Sequence, residues 1–159
     1  MKNSFLKYIL FIILSIILIF IDQFTKRIAT KELLNKKPYV VIDKVLEFVY
    51  TENRGAAFGI LQGRQILFFI LTIIIIAILI VMLVKLDFTK NNYLSFLFLL
   101  FIFSGAIGNF IDRVKNKYVV DFIYFVPIDF PVFNFADILI TCGIIIFIID
   151  SFFIKKEFV

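Results

Sequence analysis

The sequence contains no histidine and only one cysteine, Cys142, which lies inside an apolar run. These absences exclude the Ser-His-Asp triad, the Cys-His dyad and zinc sites built from Cys and His. One cysteine also excludes an internal disulfide framework, and we interpret Cys142 as a small buried apolar residue. The side chains left for chemistry are mostly carboxylates, eight Asp and four Glu. A metal site made of carboxylates alone therefore stays open.

Charge is missing from long stretches of the chain. Its 159 residues are 62% hydrophobic and include 23 Phe, with a mean hydropathy of +1.05. A soluble domain is usually ~45–50% apolar, so this composition excludes a water-facing surface. The apolar runs predict four transmembrane helices, since each run is long enough for a ~30 Å hydrocarbon core; they cover residues 5–21, 65–84, 91–111 and 138–154. We expect an all-α membrane protein, with residues 1–159 forming a single integral membrane domain.

The net charge of +5 comes from Lys and Arg residues that stand between the apolar runs. Basic residues in that position usually meet anionic headgroups, so we expect membrane lipids, and no nucleic acid, as partners. The termini and the 85–90 turn hold six Lys and Arg, whereas the opposite face holds eleven, eight of them in the 22–64 connection. Because charges in long connections weigh less in the positive-inside rule, charge alone leaves the orientation undecided.

The first apolar run resembles a secretory signal peptide, since Lys2 and Lys7 lie at its start. No small-x-small cleavage site follows it, and the chain continues with Ile21 and Asp22. We therefore interpret this run as a retained anchor.

The two long connections predict structure of their own. Residues 24–37 carry apolar side chains on one helical face and predict a short surface helix that ends before Pro38. Tyr39–Tyr50 is rich in β-branched and aromatic residues alternating with polar ones, which is typical of a strand. The Asp112–Asp137 connection is unusually apolar. It is either an aromatic loop at the interface or a loop that dips into a cleft between helices.

Polar residues gather on one side of the predicted membrane, around the ends of the spans. They are Asp22, Asn53, Asn109, Asp112, Arg113, Asp121, Asn134 and Asp137. Each alone has an ordinary explanation, since an Asp such as Asp137 often caps a helix. Asp112 and Arg113 fit a headgroup charge pair, and Asp22 and Lys26 fit an i,i+4 pair. Their convergence favours a functional site, because ionisable residues at membrane depth are costly and functional by default.

Two carboxyl groups that face each other in a low dielectric share one proton, because both cannot ionise easily. One can then activate a water while the other donates to a substrate carbonyl. This chemistry needs no metal ion and no cofactor. A small transporter or channel that moves ions through buried carboxylates is the alternative, and a purely structural membrane anchor is another. A transporter needs carboxylates along a path through the bilayer, whereas here they gather at one end.

Small residues near the end of the third span allow two interpretations. Ser104 and Gly108 are four residues apart, with Gly105 beside them. They permit close helix approach in lipid, or they loosen the helix end before Asp112.

Five sequence blocks, in order between four spans, resemble the signature blocks of the lipoprotein signal peptidase family. They read DQFTK from Asp22, NRGAAF from Asn53, GNFIDRV from Gly108, VVDF from Val119 and FPVFNFAD from Phe130. The resemblance implies that Asp121 and Asp137 are the catalytic aspartates of an aspartic endopeptidase. It also implies supporting or substrate-binding roles for the other matched polar residues, Asp22, Asn53, Asn109, Asp112, Arg113 and Asn134.

The resemblance further implies a substrate and a location. The substrate is a prolipoprotein whose cysteine carries diacylglycerol, and the enzyme cuts just before that cysteine. It implies a monomer in the bacterial cytoplasmic membrane, with cytoplasmic termini and an active site near the outer leaflet. We expect the strand-like Tyr39–Tyr50 segment to cradle the substrate.

Overall fold

The computed structural model describes residues 2–55, 63–87 and 92–154 of the chain. Within these ranges the helices are α1 (Lys2–Leu33), α2 (Gln65–Lys85), α3 (Tyr93–Asn116) and α4 (Phe135–Ile149), and α4 continues as a π-helical segment, Asp150–Ile154. All four are long and apolar enough to cross a membrane. The predicted four-helix membrane architecture is confirmed. The helices extend beyond the predicted spans at the end where the polar residues gather, since α3 runs to Asn116 and α4 begins at Phe135.

Helix α3 is the centre of the bundle, because it packs against α1, α2 and α4. Its apolar half joins the core, where Phe98, Leu99 and Leu100 are almost fully buried together with Phe11 and Leu79. The outward faces of the bundle carry many exposed Ile, Leu and Val side chains. These faces fit contact with lipid, which is as apolar as the side chains themselves.

Helices α3 and α4 approach each other closely because glycines line their contact. A Cβ added at Gly105 would lie 2.5 Å from the carbonyl oxygen of Ala136, and one at Gly143 would lie 2.6 Å from Ile102 Cγ1. Only a residue without a side chain fits at these distances. The close-approach interpretation of the small residues around Gly105 is therefore the correct one.

Helix α1 differs from the sequence prediction. Residues 24–37 were expected to form a separate surface helix, but α1 continues without a break from Lys2 to Leu33. Neither Gly nor Pro interrupts this stretch, and two of its polar residues, Asp22 and Lys26, are buried against other elements. The helix ends where Asn35 takes a left-handed conformation (φ 58°) ahead of Pro38.

The connections form a small antiparallel sheet of β1 (Tyr39–Ile42), β2 (Leu46–Asn53) and β3 (Val119–Phe125), in that order. The segment predicted as one strand is thus a hairpin, which turns at Lys44 with φ 56°. The Asp112–Asp137 connection was expected to be a loop, either at the interface or in a cleft between helices. Part of it is instead strand β3, which pairs with β2. Val119–Phe122 is buried, so β3 brings the middle of this connection against the helices.

Candidate active site

Asp121 and Asp137 reach one cavity from two different elements. Asp121 lies in β3 and is 2% exposed, whereas Asp137 lies in the first turn of α4 and is half-buried. Both line a cavity of about 470 Å³, with Asn53, Arg113 and other residues that are mainly apolar: Phe130, Pro131, Val132, Phe133, Ile138, Ile140, Thr141 and Cys142. The cavity thus brings two carboxyl groups into an otherwise largely apolar space.

Three asparagines donate side-chain N–H groups to these carboxyl groups. Asp121 accepts from Asn134 Nδ2 at 2.6 Å and from Asn53 Nδ2 at 2.8 Å, on different oxygens. Asp137 Oδ1 accepts from Asn109 Nδ2 at 2.8 Å, and its Oδ2 accepts from the backbone N–H of Asn134 at 3.1 Å. Each of the four carboxylate oxygens keeps a second acceptor site. The pair can therefore hold a proton and a water while its geometry stays fixed.

Backbone groups orient two of these asparagines. The Oδ1 of Asn53 accepts from the N–H of Gly55, and the Oδ1 of Asn134 accepts from the N–H of Asp137, each at 3.0 Å. Because a backbone N–H can only donate, the amide oxygen must face it and the NH₂ group must face the carboxylate. Asn53 reaches Asp121 because Asn53 and Thr51, which pairs with Asp121, lie on one face of β2.

Asp137 is both a helix cap and a cavity carboxylate. With Asn134 it forms a capping box at the start of α4, an arrangement that satisfies two otherwise unpaired N–H groups. The ordinary explanation of Asp137 as a cap is thus correct for one oxygen. The other oxygen accepts from Asn109. The cap therefore holds the Asp137 carboxylate in place, and the same carboxylate still lines the cavity.

Burial raises the pKa of Asp121 to about 7, and the nearby charge of Asp137 adds to this effect. The hydrogen bonds from Asn53 and Asn134 act in the opposite direction, since they stabilise the charged form. A carboxyl group with this pKa holds a proton near neutral pH, which suits a pair that works with one shared proton.

Arg113 lies on the cavity wall beside the two aspartates. Its guanidinium sits over the ring of Phe68 at 5.1 Å, and Nη1 donates to the carbonyl oxygen of Asn109 at 3.4 Å. The Phe68 ring is on α2, so this contact links α2 to the site. Arg113 thus gives the cavity a cation close to both carboxyl groups.

Behind the asparagines lies a buried ionic cluster of Asp22, Lys26 and Asp112, with the partly buried Gln23 beside it. Lys26 Nζ is 2.9 Å from Asp22 Oδ2 and 3.0 Å from Asp112 Oδ2. Gln23 Nε2 donates to Asp22, to Asp112 and to the carbonyl oxygen of Gly108. A Cβ on Gly108 would lie 2.5 Å from Asp22 Oδ2, so the glycine leaves room for the cluster. In the described ranges, no three acidic or cysteine side chains form a group that could hold a metal ion.

The family model described as Signal peptidase (SPase) II matches residues 14–153. This chain belongs to the signal peptidase II family. A lipoprotein signal peptidase of Clostridium tetani is 45% identical over 152 residues, covering 94% of this chain and 93% of the relative. One from Staphylococcus carnosus is 39% identical and covers 98% and 97% of the two chains. A solved structure of a bacterial membrane enzyme, determined by the in meso method, is 36% identical, with a TM-score of 0.80 and 92% coverage of both chains.

The signal peptidase II blocks come together in space at one end of the bundle. All eight side chains singled out from the sequence lie in the cavity wall, in the asparagine bridges or in the buried ionic cluster behind them: Asp22, Asn53, Asn109, Asp112, Arg113, Asp121, Asn134 and Asp137. Part of one block, Ala56–Phe58, lies outside the described residues.

Sequence reasoning missed Lys26 and Gln23 as members of the site, although both stand in the DQFTK block. Lys26 was considered only as half of an i,i+4 pair with Asp22. Its second partner, Asp112, is far away in sequence, and its burial depends on α3. The available signal was a Lys at helical spacing from an Asp that the resemblance already assigned to the site.

Proposed function

We propose that this chain is an aspartic endopeptidase that removes the signal peptide from diacylglyceryl-modified prolipoproteins, cutting just before the lipidated cysteine. The observation that carries the reaction type is the placement of Asp121 and Asp137 on one cavity, with N–H donors on all four carboxylate oxygens. The substrate class is supported by family membership and by relatives named lipoprotein signal peptidase.

The reaction uses the pair with one shared proton. The ionised carboxylate takes a proton from a water as its oxygen bonds to the scissile carbonyl carbon, and the protonated carboxyl gives its proton to the carbonyl oxygen. The resulting gem-diol collapses as the C–N bond breaks. The first carboxyl then protonates the leaving amine nitrogen, and the second takes a proton from a diol hydroxyl. The pair ends with one shared proton, ready for the next turnover.

Two polar groups on the cavity wall fit contacts with the peptide. The Arg113 guanidinium and the Asn53 amide both line the cavity next to Asp121, where substrate carbonyl oxygens would approach the reacting carboxyls. The apolar wall formed by Ile138, Ile140 and Cys142 suits the acyl chains of the substrate. A lipid-anchored peptide presents its scissile bond at the depth of the headgroups, which is where a site at the end of the helices lies.

We expect the protein to work as a monomer in the bacterial cytoplasmic membrane, with both termini in the cytoplasm and the site near the outer leaflet. Reporter domains that are active on only one side of the membrane, fused at the C-terminus and inserted after Lys44 at the β1–β2 turn, test this orientation. We expect a cytoplasmic C-terminus and a turn outside the cytoplasm. The reverse pattern contradicts this orientation.

The β1–β2 hairpin is the expected substrate cradle, because β1 residues Tyr39 and Val41 are exposed on the edge strand of the sheet whose other strands carry Asn53 and Asp121. Replacing both with Ser should raise KM by about tenfold, which corresponds to ~1.4 kcal/mol of binding, with kcat little changed. Steady-state kinetics check this. An unchanged KM would remove the hairpin from the binding site.

Cleavage of purified prolipoprotein in detergent tests the proposed substrate. The diacylglyceryl-modified protein should be cut and the same protein without the lipid should not, with mass spectrometry placing the cut before the modified cysteine. Equal cleavage of both forms would refute the lipid requirement. Intact modified substrate would refute the proposed function.

A further inference from the structure

Lys26 is a buried cation that takes part in no step of the proposed peptide hydrolysis. Its side chain is 3% exposed, and besides its two ion pairs it donates to Asn109 Oδ1 at 2.8 Å. We propose that Lys26 is a positioning residue. It orients the Asn109 amide so that the amide NH₂ group donates to Asp137, and through its ion pairs with Asp22 and Asp112 it fixes the relative position of the two catalytic aspartates. The inference rests on the proposed function.

The Lys26 ammonium sets the orientation of the Asn109 amide. An amide has an accepting and a donating side, and a half-turn of its group exchanges them. The Lys ammonium only donates, so the side of Asn109 that faces Lys26 must be the oxygen. The NH₂ group then faces Asp137 and donates at 2.8 Å. Without the ammonium, only the bond from Asn134 Nδ2 at 3.2 Å remains to hold the Asn109 oxygen in place.

The two carboxylates that bind the ammonium also accept backbone N–H groups next to the catalytic aspartates. Asp22 Oδ1 accepts from the backbone N–H of Ala136 at 3.0 Å, and Ala136 directly precedes Asp137. Asp112 Oδ2 accepts from the backbone N–H of Val120 at 3.2 Å.

Val120 in turn directly precedes Asp121. The ion pairs of Lys26 therefore join the start of α4, which carries Asp137, to strand β3, which carries Asp121. The buried ionic cluster thus spans the two elements whose separation sets the geometry of the catalytic pair.

Lys26 also acts on the catalytic pair through its charge. The Lys26 cation lowers the pKa of Asp121, against the stronger effects of burial and of Asp137. The charged groups that face Asp121 from the elements packed around it are Asp22 and Lys26 on α1, Asp112 and Arg113 on α3, and Asp137 on α4. Loss of the Lys26 cation alone should therefore move the alkaline limb of the pH–rate profile to higher pH.

A double-mutant cycle tests whether Lys26 acts through Asn109. Wild type, Lys26→Met, Asn109→Ala and the double variant are purified in detergent and assayed on the diacylglyceryl-modified prolipoprotein. Lys26→Met should lower kcat by ~10²-fold, a typical cost of a small misplacement at a reacting centre. In the Asn109→Ala background the same change should cost only about tenfold, because the route through Asn109 is already lost and only the ion pairs with Asp22 and Asp112 remain to be removed. Two full, additive losses would overturn the proposal.

Lys26→Met leaves two buried carboxylates without their cation and is expected to lower the melting temperature. Lys26→Met combined with Asp112→Asn keeps the net charge of the cluster and an acceptor for the Val120 N–H. This charge-balanced variant should regain the melting temperature but not the activity, and its alkaline limb should stay near that of wild type. Recovery of activity together with stability would mean that Lys26 is only structural.

The matched control is Lys31→Met, since Lys31 is on the same helix and its side chain is 81% exposed. Its kcat, KM and pH profile should equal those of wild type. Cleavage by wild type in the same assay separates the two proposals: no cleavage contradicts the proposed function itself. Cleavage by wild type with undiminished kcat in Lys26→Met contradicts only the role of Lys26.

Discussion

The two ends of the bundle are held together by different physics. In the apolar half, aromatic and aliphatic side chains pack by shape, as where Phe11 contacts the rings of Phe96 and Phe103 at 5.7 and 5.5 Å between centroids. At the polar end, buried amides and carboxylates are fixed by donors and acceptors, each with one acceptable orientation. Apolar packing tolerates swaps of similar volume, whereas an unpaired buried polar group costs ~1–3 kcal/mol. The polar end should therefore respond more sharply to small chemical changes.

Replacing the asparagine at a helix start should show the largest difference in effect between the two ends of the bundle. Asn134→Ala removes the side-chain NH₂ group that donates to Asp121 and to Asn109, and it also removes the side-chain cap of α4. We expect kcat to fall by ~10²–10³-fold, as for loss of a preorganised donor, and stability to fall by ~1 kcal/mol from the lost cap. Kinetics and thermal unfolding measure the two effects.

Asn92→Ala is the matched control, because Asn92 stands at the start of α3 at the other end and makes no side-chain cap bond. Its activity should equal that of wild type. Equal losses in the two variants would show that the polar end is not special.

Adding one methyl group at a buried glycine distinguishes packing from positioning. In Gly108→Ala the new Cβ meets Asp22 Oδ2 at 2.5 Å, and in Gly143→Ala it meets Ile102 Cγ1 at 2.6 Å. Both should lose ~1–3 kcal/mol of stability from overpacking. Only Gly108→Ala should also lose activity, because Asp22 holds the backbone N–H of Ala136 next to Asp137. Comparable kcat values after correction for the folded fraction would contradict this difference.

The pH profile should report the buried pair directly. Asp121 has a pKa raised to about 7, so it keeps its proton below that pH and loses it above. Activity should fall as the pH rises through about 7, when the pair loses its shared proton. Asn53→Ala removes a bond that stabilises the charged form, so the alkaline limb should move to higher pH. A shift to lower pH would contradict the assigned direction.

The free energy of unfolding should also depend on protonation of Asp121. Folded Asp121 binds its proton more tightly than the unfolded chain does, whose carboxyl has the ordinary value of 3.8. The folded state therefore holds more protons between these two pH values, and its stability should decrease as the pH rises across that window. Thermal unfolding at several pH values checks the sign.

The helices were predictable because a hydrocarbon core demands a minimum length of apolar chain, and that demand is local. The uncharged run of α2 gives its bounds almost to the residue. The end of α1 was not predictable in the same way. Asp22 and Lys26 have the spacing of an ordinary i,i+4 pair, and only contact with Asp112 on α3 shows that they are buried.

Strand β3 could not be predicted from its local sequence either. Its segment alternates poorly and is followed by Pro127, and its strand character comes from pairing with β2, which is distant in sequence. The roles of the asparagines depend in the same way on partners from other elements. The sequence blocks predicted which polar residues lie together in the candidate site. They could not predict the orientation of each amide, because it is set by a donor such as the Lys26 ammonium.

In the proposed reaction Asp121 and Asp137 act as one unit with a shared proton. The most direct test is cleavage of the diacylglyceryl-modified prolipoprotein by wild type, Asp121→Asn and Asp137→Asn, with Asp129→Asn as a control on an exposed aspartate bound to Tyr124. Asn keeps the shape of Asp but cannot share a proton. We expect losses of at least ~10³-fold in kcat for both site variants, with folding intact and the control unchanged. Substantial cleavage by either site variant would contradict the proposed reaction.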